Sequence, residues 1–250
     1  VDLTVDMTGK PSVLSDASLK LWLDASHSNS VIKDGSNNVS KWMDLSGSNS
    51  NFSEISGRGK PVHLIDDNLV DLNSSSMSAF MNTHTSDSVT MVFVYDKQSA
   101  STWDTIFYSD KSSGISNVWF ADNANGSSSN SSFLTNTGSW EYFNTGTSSG
   151  LFITVIKTNI SGGIVYHNGL KLYDDSNMRP DMDGGTSFDE NVAVYLGSTS
   201  ANSHTTDAHL AEMLIFYDDL DISDIDKIEF YLSQKWGLTS TVDSDGDGVV

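Results

Sequence analysis

The chain has no cysteine, which excludes a disulfide framework and any thiolate metal centre. Basic residues are scarce: 13 Lys+Arg face 33 Asp+Glu, for a formal charge of -20. A field of that sign repels a phosphate backbone, so nucleic acid and an anionic membrane surface are excluded as partners. No apolar run is long enough to span a bilayer,. The chain opens on Val1-Asp2 with no charged-then-apolar leader and reads as an excised piece,. Its six histidines show no His-x-x-x-His spacing and read as surface or hairpin residues,. Serine is so frequent that a Ser/His/Asp triad has no assignable members. Glutamate is nearly missing: only Glu54, Glu141, Glu190, Glu212 and Glu229 occur, so the other 28 acidic residues are aspartates. Aspartate is a turn residue whose short carboxylate holds a hard cation beside backbone carbonyls, whereas solvated helix faces favour glutamate. An acidic surface suited to salty water is the competing reading, and for most single aspartates both stay open.

What is present is core material. Eleven Phe, 8 Tyr and 6 Trp in 250 residues can fill the space between two layers, which excludes disorder throughout and fits a single domain,. Short runs of Val, Ile, Phe, Tyr and Leu recur between polar stretches, the signature of many strands joined by loops. The predicted class is all-β, an antiparallel two-sheet β-sandwich with one short C-terminal helix. Strands are predicted at 19–23, 39–43, 89–95, 104–108, 117–121, 151–157, 163–167, 170–173, 191–197 and 209–217. The runs at 89–95 and 151–156 are nearly continuous, which suits strands covered on both sides. Asn168-Gly169 between apolar runs predicts a type I′ hairpin. The helix is predicted from a Ser223 cap with Asp226 completing a capping box to a stop at Gly237, with Ile225, Ile228 and Leu232 on one face and Trp236 as an anchor. Residues 122–132 read as a long surface loop.

Two segments carry a family resemblance. The first is Leu19-Lys20-Leu21-Trp22-Leu23-Asp24-Ala25-Ser26 with Val39-Ser40-Lys41-Trp42-Met43-Asp44-Leu45-Ser46-Gly47. The second runs from Ala211-Glu212-Met213-Leu214-Ile215-Phe216-Tyr217 to Tyr231-Leu232-Ser233-Gln234-Lys235-Trp236-Gly237-Leu238. Together with the Gly163–Leu170 hairpin and Val194-Tyr195-Leu196-Gly197, they resemble the concanavalin A-like lectin superfamily, in particular laminin-G-like domains of large bacterial surface proteins. The resemblance implies a jelly-roll domain over residues 1–240. The closing Asp243-Ser244-Asp245-Gly246-Asp247-Gly248 has the oxygen spacing of a calcium loop and stops before the later ligands,. Residues 241–250 therefore read as the start of a calcium-binding linker, and the polypeptide is expected to continue past Val250. With only Arg58, Arg179 and three prolines, the chain resembles a ligand-binding module of a giant calcium-dependent (RTX-type) adhesin of a marine bacterium. That resemblance implies an extracellular, cell-surface-attached, monomeric module that holds a glycan or an exposed peptide.

Candidate calcium ligands within the sandwich are Asp181 and Asp183, with Asp174 in the same glycine-ended loop, then Asp122, and Asp207; Asp243, Asp245 and Asp247 belong to the linker. Turn formation is the alternative for the loop aspartates. Trp103, Trp140 and Tyr142, read as lying in or beside loops, and Asn123 and Asn125 are candidate ligand contacts, whereas Trp119 inside an apolar run reads as core. Glycanases of this fold carry Glu-x-Asp-x-Glu or Glu-x-Asp-x-x-Glu, and neither pattern occurs. Retaining hydrolysis needs carboxyls about 5–5.5 Å apart, so a glycan hydrolase survives only if distant aspartates meet. The expectation is a binding module and not an enzyme, with a calcium-stiffened spacer as the other alternative.

Overall fold

The computed structural model describes residues 11–81, 88–98, 103–110, 118–122, 130–134, 140–146, 150–178 and 192–243. Among these residues seventeen strands form two antiparallel sheets. One holds β1 (Leu19–Asp24), β5 (Val62–Leu64), β6 (Leu69–Asp71), β8 (Ser88–Asp96), β13 (Leu151–Asn159), β14 (Gly162–His167), β15 (Leu170–Asp175) and β17 (His209–Phe216). Its order is β15-β14-β13-β8-β17-β6-β5, with β1 on the free edge of β17. The other holds β2 (Val31–Lys33), β3 (Val39–Trp42), β4 (Phe52–Glu54), β7 (Met77–Met81), β9 (Asp104–Asp110), β10 (Trp119–Asp122), β11 (Asn130–Leu134), β12 (Trp140–Asn144) and β16 (Val192–Leu196), in the order β12-β11-β10-β9-β16-β7-β4-β3-β2. The two sheets stack as a jelly-roll-like sandwich.

Alternation along the strands builds two apolar layers. Met91, Phe93 and Tyr95 of β8 point between the sheets with Trp42, Phe52, Phe107 and Phe120. Val92 and Val94 of the same strand point outward with Ile153, Val155 and Leu214, where α1 (Ile222–Trp236) packs Ile225, Ile228 and Leu232 on them. The continuous runs at β8 and β13 are thus covered on both faces, as their composition requires. Asn168 and Gly169 take φ of 50° and 85°, the two positive values of the type I′ turn,.

The helix cap differs from expectation. Asp221 is the N-cap, its carboxylate accepting from the Asp224 N–H at 2.9 Å, and Ser223 already lies inside the helix. Leu220 is buried at 4% just before the cap, so packing starts the helix two residues early. Gly237 closes it in the left-handed region as predicted. Trp236 donates its indole N–H to Glu212 at 2.8 Å, and Lys235 bridges Glu212 and Asp24 at 2.6 Å each, pinning the helix to β17 and β1. Residues 130–132, expected in a loop, form the start of β11, and Asp122 ends β10.

Candidate ligand-binding face

The two sheets differ in exposure. The eight-stranded one carries α1 on its outer side, whereas no described helix lies on the outer side of the nine-stranded one. One transverse row crosses all nine strands there: Ile32, Lys41, Ser53, Ser78, Tyr195, Tyr108, Trp119, Leu134 and Trp140 stand opposite one another in successive pairings. The row is polar over β3, β4 and β7 and aromatic from β16 to β10. The Tyr108 ring lies 6.2 Å from that of Tyr195 and 5.9 Å, edge-on, from that of Trp119. Phe80 of β7 extends this surface and is 69% exposed.

Three further rings gather at the aromatic end. Trp103, immediately before β9, has φ of 66°, a conformation that costs a bulky L-residue about 1–2 kcal/mol. That backbone sets its ring 6.1 Å from Trp119 and 6.2 Å from Tyr142 of β12. Exposed His204 approaches Trp119 from the loop at 198–206, 5.2 Å ring to ring. The Trp119 indole donates to Thr105 Oγ1 at 3.0 Å, and the His204 carbonyl accepts from the Thr105 N–H at 3.0 Å, so one residue of β9 positions both. Arg58 holds the far side of the loop. Its guanidinium donates to Ser198 Oγ at 3.0 Å, the Thr199 carbonyl at 3.3 Å and the Ser200 carbonyl at 2.6 Å, and lies 5.8 Å from the Tyr195 ring centroid.

The structure thus brings Trp103 and Tyr142 together and places Trp140 at the end of the same row. Trp140 and Tyr142 belong to edge strand β12, not to a loop. Trp119 is half-buried on the outer face and not in the core: β10 alternates, so Phe120 fills the interior and Trp119 must face the other way,. Tyr108, Tyr195, His204 and Arg58 were not expected here. The signal for the tyrosines is cross-strand register, which no single strand's pattern contains.

Asp104 follows Trp103, is buried at 2%, and is the register partner of Asp122 in the β9–β10 ladder. Of the other candidates, Asp174 is exposed on β15 and paired with Lys171 at 2.6 Å. Asp207 accepts from the Ser74 hydroxyl at 3.0 Å. Asp243 is buried at the other end of the chain. Asn123, Asn125, Asp181, Asp183, Asp245 and Asp247 lie outside the described residues. Among the described residues no three His, Asp or Glu side chains converge on a point that would hold a metal ion. Glu141 accepts from the Tyr173 hydroxyl where β12 meets β15 and closes one side of the sandwich.

A groove of about 550 Å³ lies elsewhere, between a 3-10 turn at Ser12–Leu14 and α1. Its charged lining is Asp16, Asp224 and Lys227, and the last two already pair at 2.7 Å. Its aromatic lining is Phe216 alone, so it lacks the Trp and Tyr rings of the nine-stranded face.

No protein-family model and no curated protein matches the chain. Solved structures do match in fold. Trypanosoma rangeli sialidase in complex with sialic acid superposes with a TM-score of 0.61 at 14% identity, over 94% of this chain and 36% of that one. The binding domain of botulinum neurotoxin serotype D/C gives 0.60 at 18% identity, over 88% and 53%. The binding domain of botulinum neurotoxin DC in complex with rat synaptotagmin II gives 0.61 at 18%, over 88% and 52%. The chain is a jelly-roll-like β-sandwich. It spans about a third to a half of those chains, and at these identities the architecture is what they share.

Proposed function

We propose that this chain is a non-catalytic module of a larger extracellular bacterial adhesin and that it holds a glycan on the aromatic end of the nine-stranded face. The observation that carries this reading is the placement of the Trp103 ring between those of Trp119 and Tyr142, at 6.1 and 6.2 Å, on a sheet face that no described helix covers. Sugar rings present C–H faces that pack on aromatic rings, while Tyr and His edges meet the hydroxyls. An exposed peptide is the second class of ligand, and it would call for a narrow apolar pocket beside a calcium ion; the described face is a row of rings across flat strands, which favours the sugar. The neighbouring toxin binding domains are described with SialylT and with synaptotagmin II, and the sialidase with sialic acid; those ligands are theirs and here serve to choose probes. The calcium dependence proposed for capture draws on Asp122 and the aspartates at 181 and 183.

The test is binding of the 250-residue chain to immobilised sialylated and neutral oligosaccharides and to a peptide panel, with and without a chelator. Trp119→Ala or Trp103→Ala is expected to weaken glycan capture at least about 10-fold, equivalent to about 1.4 kcal/mol, without lowering the melting temperature below that of a matched surface variant. Chelation is expected to abolish capture. Peptide binding without glycan binding overturns the ligand class, sugar release overturns the non-catalytic assignment, and capture that persists in chelator overturns the calcium requirement. No binding to either panel leaves the spacer as the better reading.

A further inference from the structure

The loop at 198–206 lies between β16 and β17 and carries His204 to the aromatic end of the nine-stranded face. Gly197, with φ of 82°, enters it so close to the connection between β6 and β7 that a Cβ would lie 2.3 Å from the Ser75 carbonyl oxygen. The Thr206 N–H donates to the Gly197 carbonyl and the Thr199 N–H to the Ser203 carbonyl, both at 3.1 Å, which closes the loop on itself. Arg58 reaches in from the connection between β4 and β5. Besides Ser198, Thr199 and Ser200, its guanidinium donates to Ser76 Oγ at 3.2 Å, so acceptors from two segments share one rigid fork,. All four are neutral, although the chain has 33 carboxylates; this cation is spent on the geometry of the loop.

What the framework holds in place is an exposed side chain on left-handed backbone. His204 has φ of 54° and is exposed, so no burial repays a conformation that glycine would adopt at less cost,. Trp103, with φ of 66°, is a second such residue. Both approach the same ring: Trp119 lies 5.2 Å from His204 and 6.1 Å from Trp103, with Tyr108 edge-on at 5.9 Å. Two backbone outliers that converge on one ring are the arrangement of a ligand site, where the surrounding structure sustains the strain. Indole and phenol faces take the C–H side of any sugar ring, whereas a neutral imidazole both donates and accepts hydrogen bonds. Of the rings around Trp119, His204 is the exposed one that carries both a donor and an acceptor.

We propose that His204 is the specificity-determining residue of the aromatic face, a hydrogen-bonding edge against the sugar ring that stacks at Trp119, and that Arg58 is the positioning residue that keeps it there. The inference rests on the glycan reading for its ligand, and not for the placement of the loop. It commits the site to a neutral sugar with hydroxyls at the edge facing residue 204, since the chain's charge of -20 opposes an anionic one,.

Lactose and cellobiose, neutral disaccharides that differ in the orientation of one hydroxyl, test it when titrated calorimetrically into the 250-residue chain. One hydrogen bond gained or lost at that hydroxyl corresponds to a ratio of roughly 5-fold, and the parent is expected to separate the two sugars by at least that much. His204→Ala and His204→Gly are both expected to abolish the separation, with His204→Gly the higher melting of the two because it relieves the backbone. Trp119→Ala is expected to weaken both sugars alike. Arg58→Lys keeps the charge without the fork. It is expected to shrink the separation and to move the Trp119 indole N–H signal in the NMR spectrum of the sugar-free chain, which a loss of stability alone would not do. A parent that binds both sugars alike or neither overturns the specificity role, and so does a separation that survives in His204→Ala. An unmoved indole signal in Arg58→Lys overturns the positioning role, whether or not any sugar binds. Capture on the wider oligosaccharide panel is read independently, so the glycan reading can stand while the role of His204 falls.

Discussion

Glu212 accepts from the indole N–H of Trp22 and that of Trp236, both at 2.8 Å, and from Lys235, which also reaches Asp24. Burial pushes this carboxyl upward more strongly than Lys235 pulls it down, and the nearby Asp24 charge adds to the rise, while the Lys235 and Trp236 donors favour the charged form. Burial opposes the charge on Lys235 too, yet Glu212 and Asp24 outweigh it and hold the ammonium above the usual lysine range. The five side chains come from the very segments that carry the family resemblance, so those motifs encode the docking of the helix and not ligand chemistry. Lys235→Met leaves the buried Glu212 and Asp24 carboxylates without their counter-charge and is expected to cost about 3–5 kcal/mol. Glu212→Gln leaves Lys235 its pairing with Asp24 and is expected to cost less, about 1–3 kcal/mol. Urea denaturation followed by tryptophan fluorescence measures both; equal costs would show that the lysine is not the hub.

At the scale of elements, the helix start separates two kinds of signal. Sequence spacing favours Ser223 with Asp226, but the chain enters the helix with Leu220 already packed and Asp221 turned toward the Asp224 N–H. Asp221→Ala is accordingly expected to lower stability by about 1 kcal/mol and Ser223→Ala by only a few tenths, measurable as separate shifts in the denaturation midpoint; the reverse order would restore the spacing-based cap. The long strands β8, β13 and β17 were legible because nine or eight residues make a nearly continuous apolar run between polar stretches. Strands β2, β4, β5 and β6 have three residues each, too few for any period to show, and their positions follow from pairing with neighbours. Strand β12 was hidden differently: its Trp140-Glu141-Tyr142-Phe143-Asn144 alternation points Glu141 inward to the Tyr173 hydroxyl, so a polar residue stands where an apolar one would have marked the inner face. The same limit governs the site, where Trp103 and Tyr142 could be chosen by type, but Trp119, Tyr108 and Tyr195 became partners only through register.

For the whole molecule, the charge of -20 is spread over a surface most of whose described cations are already engaged. Lys60 pairs with Glu54, Lys171 with Asp174 and Lys227 with Asp224, all on exposed side chains, where each pair is worth about 0–1 kcal/mol. Lys157 pairs with Asp219, Lys235 lies under the helix, and Arg58 holds the loop beside Tyr195. No basic patch remains on the described surface to attract a polyanion, and most of the acidic surface repels itself. Two opposed effects of salt follow: screening weakens the exposed pairs, which are few and weak, and it also relieves the repulsion among 33 carboxylates, which acts over the whole surface at a Debye length of about 10 Å in 0.1 M salt. The second effect involves far more charge, so the melting temperature is expected to rise from 0.02 to 0.5 M sodium chloride in the presence of chelator. It should rise further at equal ionic strength with calcium chloride, through specific binding to the folded state. A melting temperature that falls with sodium chloride would mean that the exposed ion pairs, and not self-repulsion, set the electrostatic contribution to stability.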